Sequence, residues 1–125
     1  MATPDELANW YADAWNETGA AKRRALLDKA CSPQIRFLQQ GFDDEVVGVD
    51  ALDQTIADYQ ATWPEGVSVR VEMTTPVDTH HGVGRGGFVW IVGDTRTYGT
   101  DFAEVGDDGK LSLIAVFIDA GPPPS

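Results

Sequence analysis

Apolar residues near the start of the chain recur at helical spacing. Leu7, Trp10, Tyr11, Ala14 and Trp15 stand at i, i+3, i+4, i+7 and i+8, one stripe of an amphipathic helix. Thr3 is placed to cap it, Pro4 suits its first turn, and Glu6 follows the cap by three residues as a capping box requires. Gly19 marks its end. A second helix is predicted from Ala20 to Cys31, with Leu26, Leu27, Ala30 and Cys31 on its buried side, and Pro33 forbids its continuation. "IRFLQQ" reads as a short strand and "GFDDEVVG" as a turn with a second extended piece. Asp50 is a good N-cap for a third helix that turns Leu52, Ile56, Tyr59 and Trp63 inward and stops at Pro64 and Gly66.

From Val67 the period changes to two. Val67, Val69, Val71 and Met73 alternate with Ser68, Arg70, Glu72 and Thr74, which predicts a strand with one polar face. "DTHHG" can turn and "VGRGGFVWIVG" returns. A turn at "DTRT" or its neighbours leads into "YGTDFAEV", and "GDDG" closes a hairpin into "KLSLIAVFI". Helices first and an antiparallel meander afterwards predict an α+β domain with helices on one face of the sheet. One domain is expected over residues 1–119. The tail "GPPPS" and its surroundings, 120–125, are expected to be extended or disordered.

The last strand is apolar on both faces, because Leu113, Ala115 and Phe117 alternate with Ile114, Val116 and Ile118. One face can meet the helices. The other needs a cover, and a second copy of the chain is the simplest one. A homodimer is therefore expected.

Composition narrows the function classes. The formal net charge is −11, whereas nucleic acids and anionic membranes need a basic footprint. No segment approaches the ~20 apolar residues of a membrane span, and "MATPDELANW" has neither the basic nor the apolar part of a signal peptide. A cytoplasmic location is the expectation. The single cysteine, Cys31, allows no intrachain disulfide and no cysteine metal pair. It reads as a small buried filler. His80 and His81 are neighbours, so on a strand they point to opposite faces and make a poor metal pair. No metal and no cofactor is expected. The glycines of "GVGRGG" open no helix and form no phosphate loop; they suit strong sheet curvature or a bulge.

Asp101 is the residue that a plain sheet does not explain, since Asp is disfavoured in strands. If Tyr98, Thr100 and Phe102 share one face, Asp101 shares the other with Gly99 and Ala103. Small neighbours leave room beside it. A carboxyl in such a cavity is desolvated, which raises its pKa. The same residue on the opposite face would meet only water.

The segments "YADAWNETG", "GVDALDQTI", "THHGVGRGGFVW" and "GTDFAEVGDDGKLSLIAVF" together resemble the NTF2-like superfamily, in its SnoaL-like and ketosteroid isomerase-like branch. The resemblance implies a cone, with three N-terminal helices packed on a strongly curved antiparallel sheet around a deep apolar pocket. It implies that Tyr11 stands at the oxyanion-hole tyrosine and Asp101 at an acid that stays protonated and donates to the same oxyanion. The family's general-base aspartate corresponds to Gln39, which cannot take a proton. The aspartate that the limonene epoxide hydrolase and SnoaL cyclase branches keep on the last strand corresponds to Val116. In a cone, core residues also form the pocket wall, so Trp15, Phe37, Tyr59, Trp63, Phe88, Trp90, Val116 and Ile118 are expected to touch ligand, with Gln39 orienting it. If Phe88 and Trp90 face the pocket, Arg85 faces out, toward a dimer contact.

The expected function is binding of a small hydrophobic molecule carrying a carbonyl, hydroxyl or phenol. Any transformation would be of isomerase, lyase or hydrolase type without a cofactor. The alternative is a non-catalytic ligand-binding or dimerisation module, and a scaffold with its pocket filled by side chains stands behind both.

Overall fold

The computed structural model describes residues 2–119, so the tail expected at 120–125 lies outside the described residues. Three helices and seven strands follow one another. Helix α1 spans Pro4–Asn16. Thr3 Oγ1 accepts from the Glu6 amide at 3.1 Å, and the Glu6 carboxylate accepts from the Thr3 amide at 3.0 Å. Both halves of the capping box are therefore made. Leu7, Tyr11 and Ala14 are buried and Trp10 and Trp15 half-buried, as the stripe requires.

Helix α2 spans Ala20–Ala30 and ends one residue earlier than the apolar pattern predicts. Cys31 is the first residue of strand β1, Cys31–Gln39, and is buried there. Pro33 lies inside β1, where the register shifts between Cys31 and Arg36. An irregularity is where a strand tolerates a residue that cannot donate. The buried side of α2 includes Arg23, 6% exposed. Its Nε donates to Asp53 Oδ1 at 2.6 Å and its Nη1 to Gln60 Oε1 at 3.0 Å. Gln60 Nε2 in turn donates to the carbonyls of Trp15 and Glu17. One buried cation thus ties the ends of all three helices together, with every partner hydrogen-bonded as burial demands.

Strand β2 is Val46–Val47, and helix α3 is Val49–Gln60. The cap of α3 is Gly48, not Asp50. Gly48 has φ 95°, its amide donates to the Ile35 carbonyl at 2.7 Å, and its carbonyl accepts from Leu52. That left-handed backbone suits glycine. Asp50 sits instead in the first turn, where a carboxylate complements the helix dipole, and it accepts from Arg24 Nη1 at 2.6 Å.

Strands β3 (Val69–Met73), β4 (Asp78–His80), β5 (Val83–Val92), β6 (Thr95–Val105) and β7 (Leu111–Ile118) make the meander. The first begins two residues later than its alternation, at Val69 rather than Val67. The β4–β5 turn is His81–Gly82, with φ 52° and 80°, the two positive values of a type I′ hairpin. The sheet runs β2-β1-β7-β6-β5-β3, with β4 also on β5. All pairs are antiparallel except β1–β7, which is parallel. The sheet is thus curved and mixed, and the fold is α+β.

Two glycines let the sheet close round. A Cβ at Gly99 would strike the Phe88 ring, and one at Gly86 would come within 2.9 Å of Met73 Cε. At the β3 edge the Asn16 carboxamide spans from α1. Its Nδ2 donates to the Val71 carbonyl at 2.8 Å and its Oδ1 accepts from the Val71 amide at 2.7 Å.

Candidate functional site

The register places Gly86, Asp101, Val116 and Gln39 side by side in one row across β5, β6, β7 and β1. Neighbouring strands alternate faces in step, so all four point to the concave side. Asp101 shares that side with Gly99 and Ala103, as its parity predicts. Tyr11 comes down on it from α1, which carries the two-turn stripe of Leu7, Tyr11 and Ala14 into the core.

Two cavities meet at this pair. The larger, about 550 Å³, opens between α3 and the sheet, and the smaller, about 200 Å³, lies toward the β4–β5 hairpin. Tyr11 and Asp101 border both. Asp101 keeps a little exposed surface because cavities flank it, while protein fills most of the volume around it. Burial pushes its carboxyl from 3.8 up to about 7. Burial also holds the Tyr11 phenol well above its ordinary value. The Asp101 charge adds to that, and the Trp15 indole works against it. At neutral pH Tyr11 is thus a proton donor, and Asp101 populates both its forms. Such a carboxyl can donate to a ligand oxygen or take a proton.

The larger cavity is walled by Trp15, Tyr59, Phe88, Trp90, Val116 and Ile118, with Gln39 at its side. Two expected wall residues stand apart from it. Phe37 is completely buried behind Trp15, ring centres 5.7 Å apart, and Trp63 packs edge-on against Tyr59 at 5.8 Å. Their inward pattern is that of core, which in this cone extends deeper than the cavity surface. The wall also uses Phe42, Thr55, Asp58 and Val71. Phe42 lies in the "GFDDEVVG" turn, and Asp58 on the polar side of α3, so neither apolar periodicity nor strand parity points to them. Asp58 and Asp101 are the charged residues on this wall; no Lys, Arg or His is among its lining residues.

Tyr59 Oη, Trp63 Nε1 and Trp90 Nε1 are buried without a hydrogen-bond partner. Burial raises the Tyr59 phenol, and the two indole N–H groups are near enough to hold that rise back. They nevertheless complete no hydrogen bond to it.

Of the remaining candidates, Arg85, His80 and His81 are among the residues that line the smaller cavity, and Cys31 lines neither cavity. Arg85 is exposed on the convex side and pairs with Asp78 at 3.2 Å. His80 and His81 are exposed on the hairpin, their Nδ1 atoms 3.0 Å apart. Cys31 has its thiol pushed up to about 12 by burial, which leaves no thiolate for chemistry near neutral pH. Among the described residues no group of three or more His, Cys, Asp or Glu could hold a metal ion, and no helix is long and apolar enough to cross a membrane.

No family model and no curated relative matches the sequence. Solved structures do match the fold. A SnoaL-like family protein from Agrobacterium tumefaciens, assigned as an isomerase, superposes with a TM-score of 0.79 at 23% identity, over 91% of this chain and 95% of that one. A protein assigned as a ketosteroid isomerase from Kribbella flavida gives 0.69 at 20% identity, over 97% and 82%. A protein of ketosteroid isomerase-like fold from Catenulispora acidiphila, in complex with trimethylamine, gives 0.72 at 11% identity, over 95% and 88%. The row of inward residues, the cavity under three helices and these superpositions agree: the chain has the NTF2-like fold, in the form shared by SnoaL-like and ketosteroid isomerase-like proteins.

Proposed function

We propose that this protein binds a small hydrophobic molecule in the larger cavity and holds one of its oxygens between Tyr11 and Asp101. The observation that carries the reading is the desolvated Asp101 carboxyl beside a buried phenol, at the junction of two cavities. A few polar groups in an apolar cleft is the usual make-up of a small-molecule site. Two potential donors bordering the same cavities suit a carbonyl, hydroxyl or phenolate oxygen. A structural neighbour that holds a small molecule, trimethylamine, supports a ligand-binding use of the fold.

Catalysis in this site is cofactor-free and of isomerase, lyase or hydrolase type, and Asp101 is its proton-transferring group. Gln39 and Val116, in the same row, cannot take a proton. The second reading, a non-catalytic binding module, is favoured by that same pair. A carboxyl-labelled NMR titration with and without a planar phenol tests the anchor. The expected result is an Asp101 titration near neutral pH that moves when the phenol binds. A titration near 4 that ignores the phenol would sink the proposal.

The assembly proposed is a homodimer through the convex sheet face. Val47, Phe102 and Phe117 are exposed there beside half-buried Leu38, Leu113 and Ala115. Sedimentation at micromolar concentration should show a dimer that Phe117→Glu converts to monomer. A wild-type monomer would refute it.

A further inference from the structure

The three buried polar atoms without a partner among the described residues all belong to one cluster. The Tyr59 ring lies 5.8 Å from Trp63 and 5.8 Å from Trp90, edge to face with both. Trp63 follows Tyr59 by about one helical turn, beyond the end of α3, and Trp90 reaches them from β5. Buried polar groups are nearly always paired, because an unpaired one loses its water and gains nothing back. Three in one place call for a common cause. All three carry protons to give. Tyr59 and Trp90 border the larger cavity. Trp15 stands between this trio and the Tyr11–Asp101 pair, 5.6 Å from the Tyr59 ring and 6.4 Å from that of Tyr11. The cavity therefore has polar groups at two ends, about one indole apart.

We propose that Tyr59, backed by Trp63 and Trp90, is a second ligand anchor that holds a neutral carbonyl oxygen of a ligand whose first oxygen sits at Tyr11 and Asp101. This rests on the larger cavity being a ligand site. Both indoles can only donate, so when a ligand oxygen takes the Tyr59 proton, Tyr59 Oη is free to accept from them and close the hydrogen bonds that the three groups lack without it. The Tyr59 side chain is half-buried and borders the larger cavity, while its hydroxyl is buried, so ligand binding requires the side chain to turn that hydroxyl toward the cavity. The charge of the wall decides the ligand class. Asp58 and Asp101 line it without any cation, so a carboxylate or phosphate at this end would be desolvated and unpaired. A ketone or similar carbonyl meets the donors at no such cost. The ligand is then a compact ring system, roughly bicyclic, with a hydroxyl or carbonyl at one end and a carbonyl at the other.

The test uses two probes of one shape, 6-acetyl-2-naphthol and 6-isopropenyl-2-naphthol, measured by titration calorimetry. They differ in a carbonyl oxygen against a methylene. Wild-type protein should prefer the acetyl compound by on the order of 10-fold. Tyr59→Phe and Trp90→Phe should bring the ratio close to one. Tyr11→Phe should weaken both probes and keep the ratio. Without ligand, Tyr59→Phe should leave thermal stability unchanged or higher, because it deletes an unpaired buried hydroxyl. Equal affinities in the wild type, or a preference that survives Tyr59→Phe, overturn the second anchor alone. A marked fall in stability in Tyr59→Phe does the same, by showing that the hydroxyl serves the fold. Failure of both probes to bind overturns this anchor and the cavity's ligand role together.

Discussion

Replacing Asp101 by Asn should stabilise the protein above neutral pH and leave it unchanged in acid. The carboxyl ionises at about 7 in the folded protein and at 3.8 in the ordinary range. Between those values the folded chain binds more protons than the unfolded one. Stability then falls as pH rises, by the linkage of proton uptake to folding. Below 3.8 the group is neutral in both states, and above 7 it is charged in both. The wild-type penalty is therefore absent in acid, grows from pH 4 to pH 7 and levels off. A gap of roughly three pH units at ~1.4 kcal/mol each is worth about 4 kcal/mol. That figure is an upper bound, since water entering the flanking cavities screens the charged form. Asn matches the neutral acid in shape and does not ionise. For a chain of 125 residues, each kcal/mol moves the melting temperature by roughly 4 °C. The Asn variant should thus melt up to ~15 °C above wild type at pH 8 and with it at pH 4. Thermal unfolding of both proteins across that range is the assay. Two melting curves that stay parallel in pH would falsify the buried, titrating Asp101.

Two further substitutions probe the frame around it. Gln39→Asp puts a carboxylate in the row with Asp101, about two strand spacings or ~10 Å away across Val116. It should raise isomerisation of a β,γ-unsaturated ketone by ~10²–10⁴-fold over a very slow wild type, read by ultraviolet absorbance of the conjugated product. Arg23→Met removes the cation that Asp53 and Gln60 share, and leaving those groups without it should cost about 3 kcal/mol in urea unfolding.

How far the sequence shows the fold depends on which residues carry the signal. Thr3, Glu6 and the stripe from Leu7 to Trp15 act within one helix, and their reading matches the structure. So does the two-residue alternation that turns Asp101 inward, because parity along a strand is local. The start of β1 at Cys31 is not visible, since Ala30 and Cys31 are both small and buried and suit a helix as well as a strand. Gly48 takes the cap from Asp50 because a hydrogen bond to Ile35, on another strand, fixes its backbone. Arg23 reads as surface until Asp53 and Gln60 come from α3 to meet it. The parallel pairing of β1 with β7 joins chain segments too far apart for any local pattern to report. In the cavity, Tyr11, Trp15, Gln39, Tyr59, Phe88 and Trp90 follow from pattern and resemblance. Phe42 and Asp58 do not, because a turn and a helix's polar side only become walls once the cone has closed.

The Asn16 clamp on Val71 has a consequence for assembly. Strand β3 ends the sheet, and the backbone groups of Val71 not used by β5 would otherwise offer a docking line to any stray strand. The Asn16 carboxamide presents one N–H and one carbonyl at the spacing of a neighbouring strand, and so occupies that line with a single side chain. It also pins α1 lengthwise. A slip of one residue along the helix would move Tyr11 by ~1.5 Å and break both bonds at once. The residue that covers this stretch of the sheet edge is thereby also the indexing pin that holds Tyr11 at its place along the cavity wall.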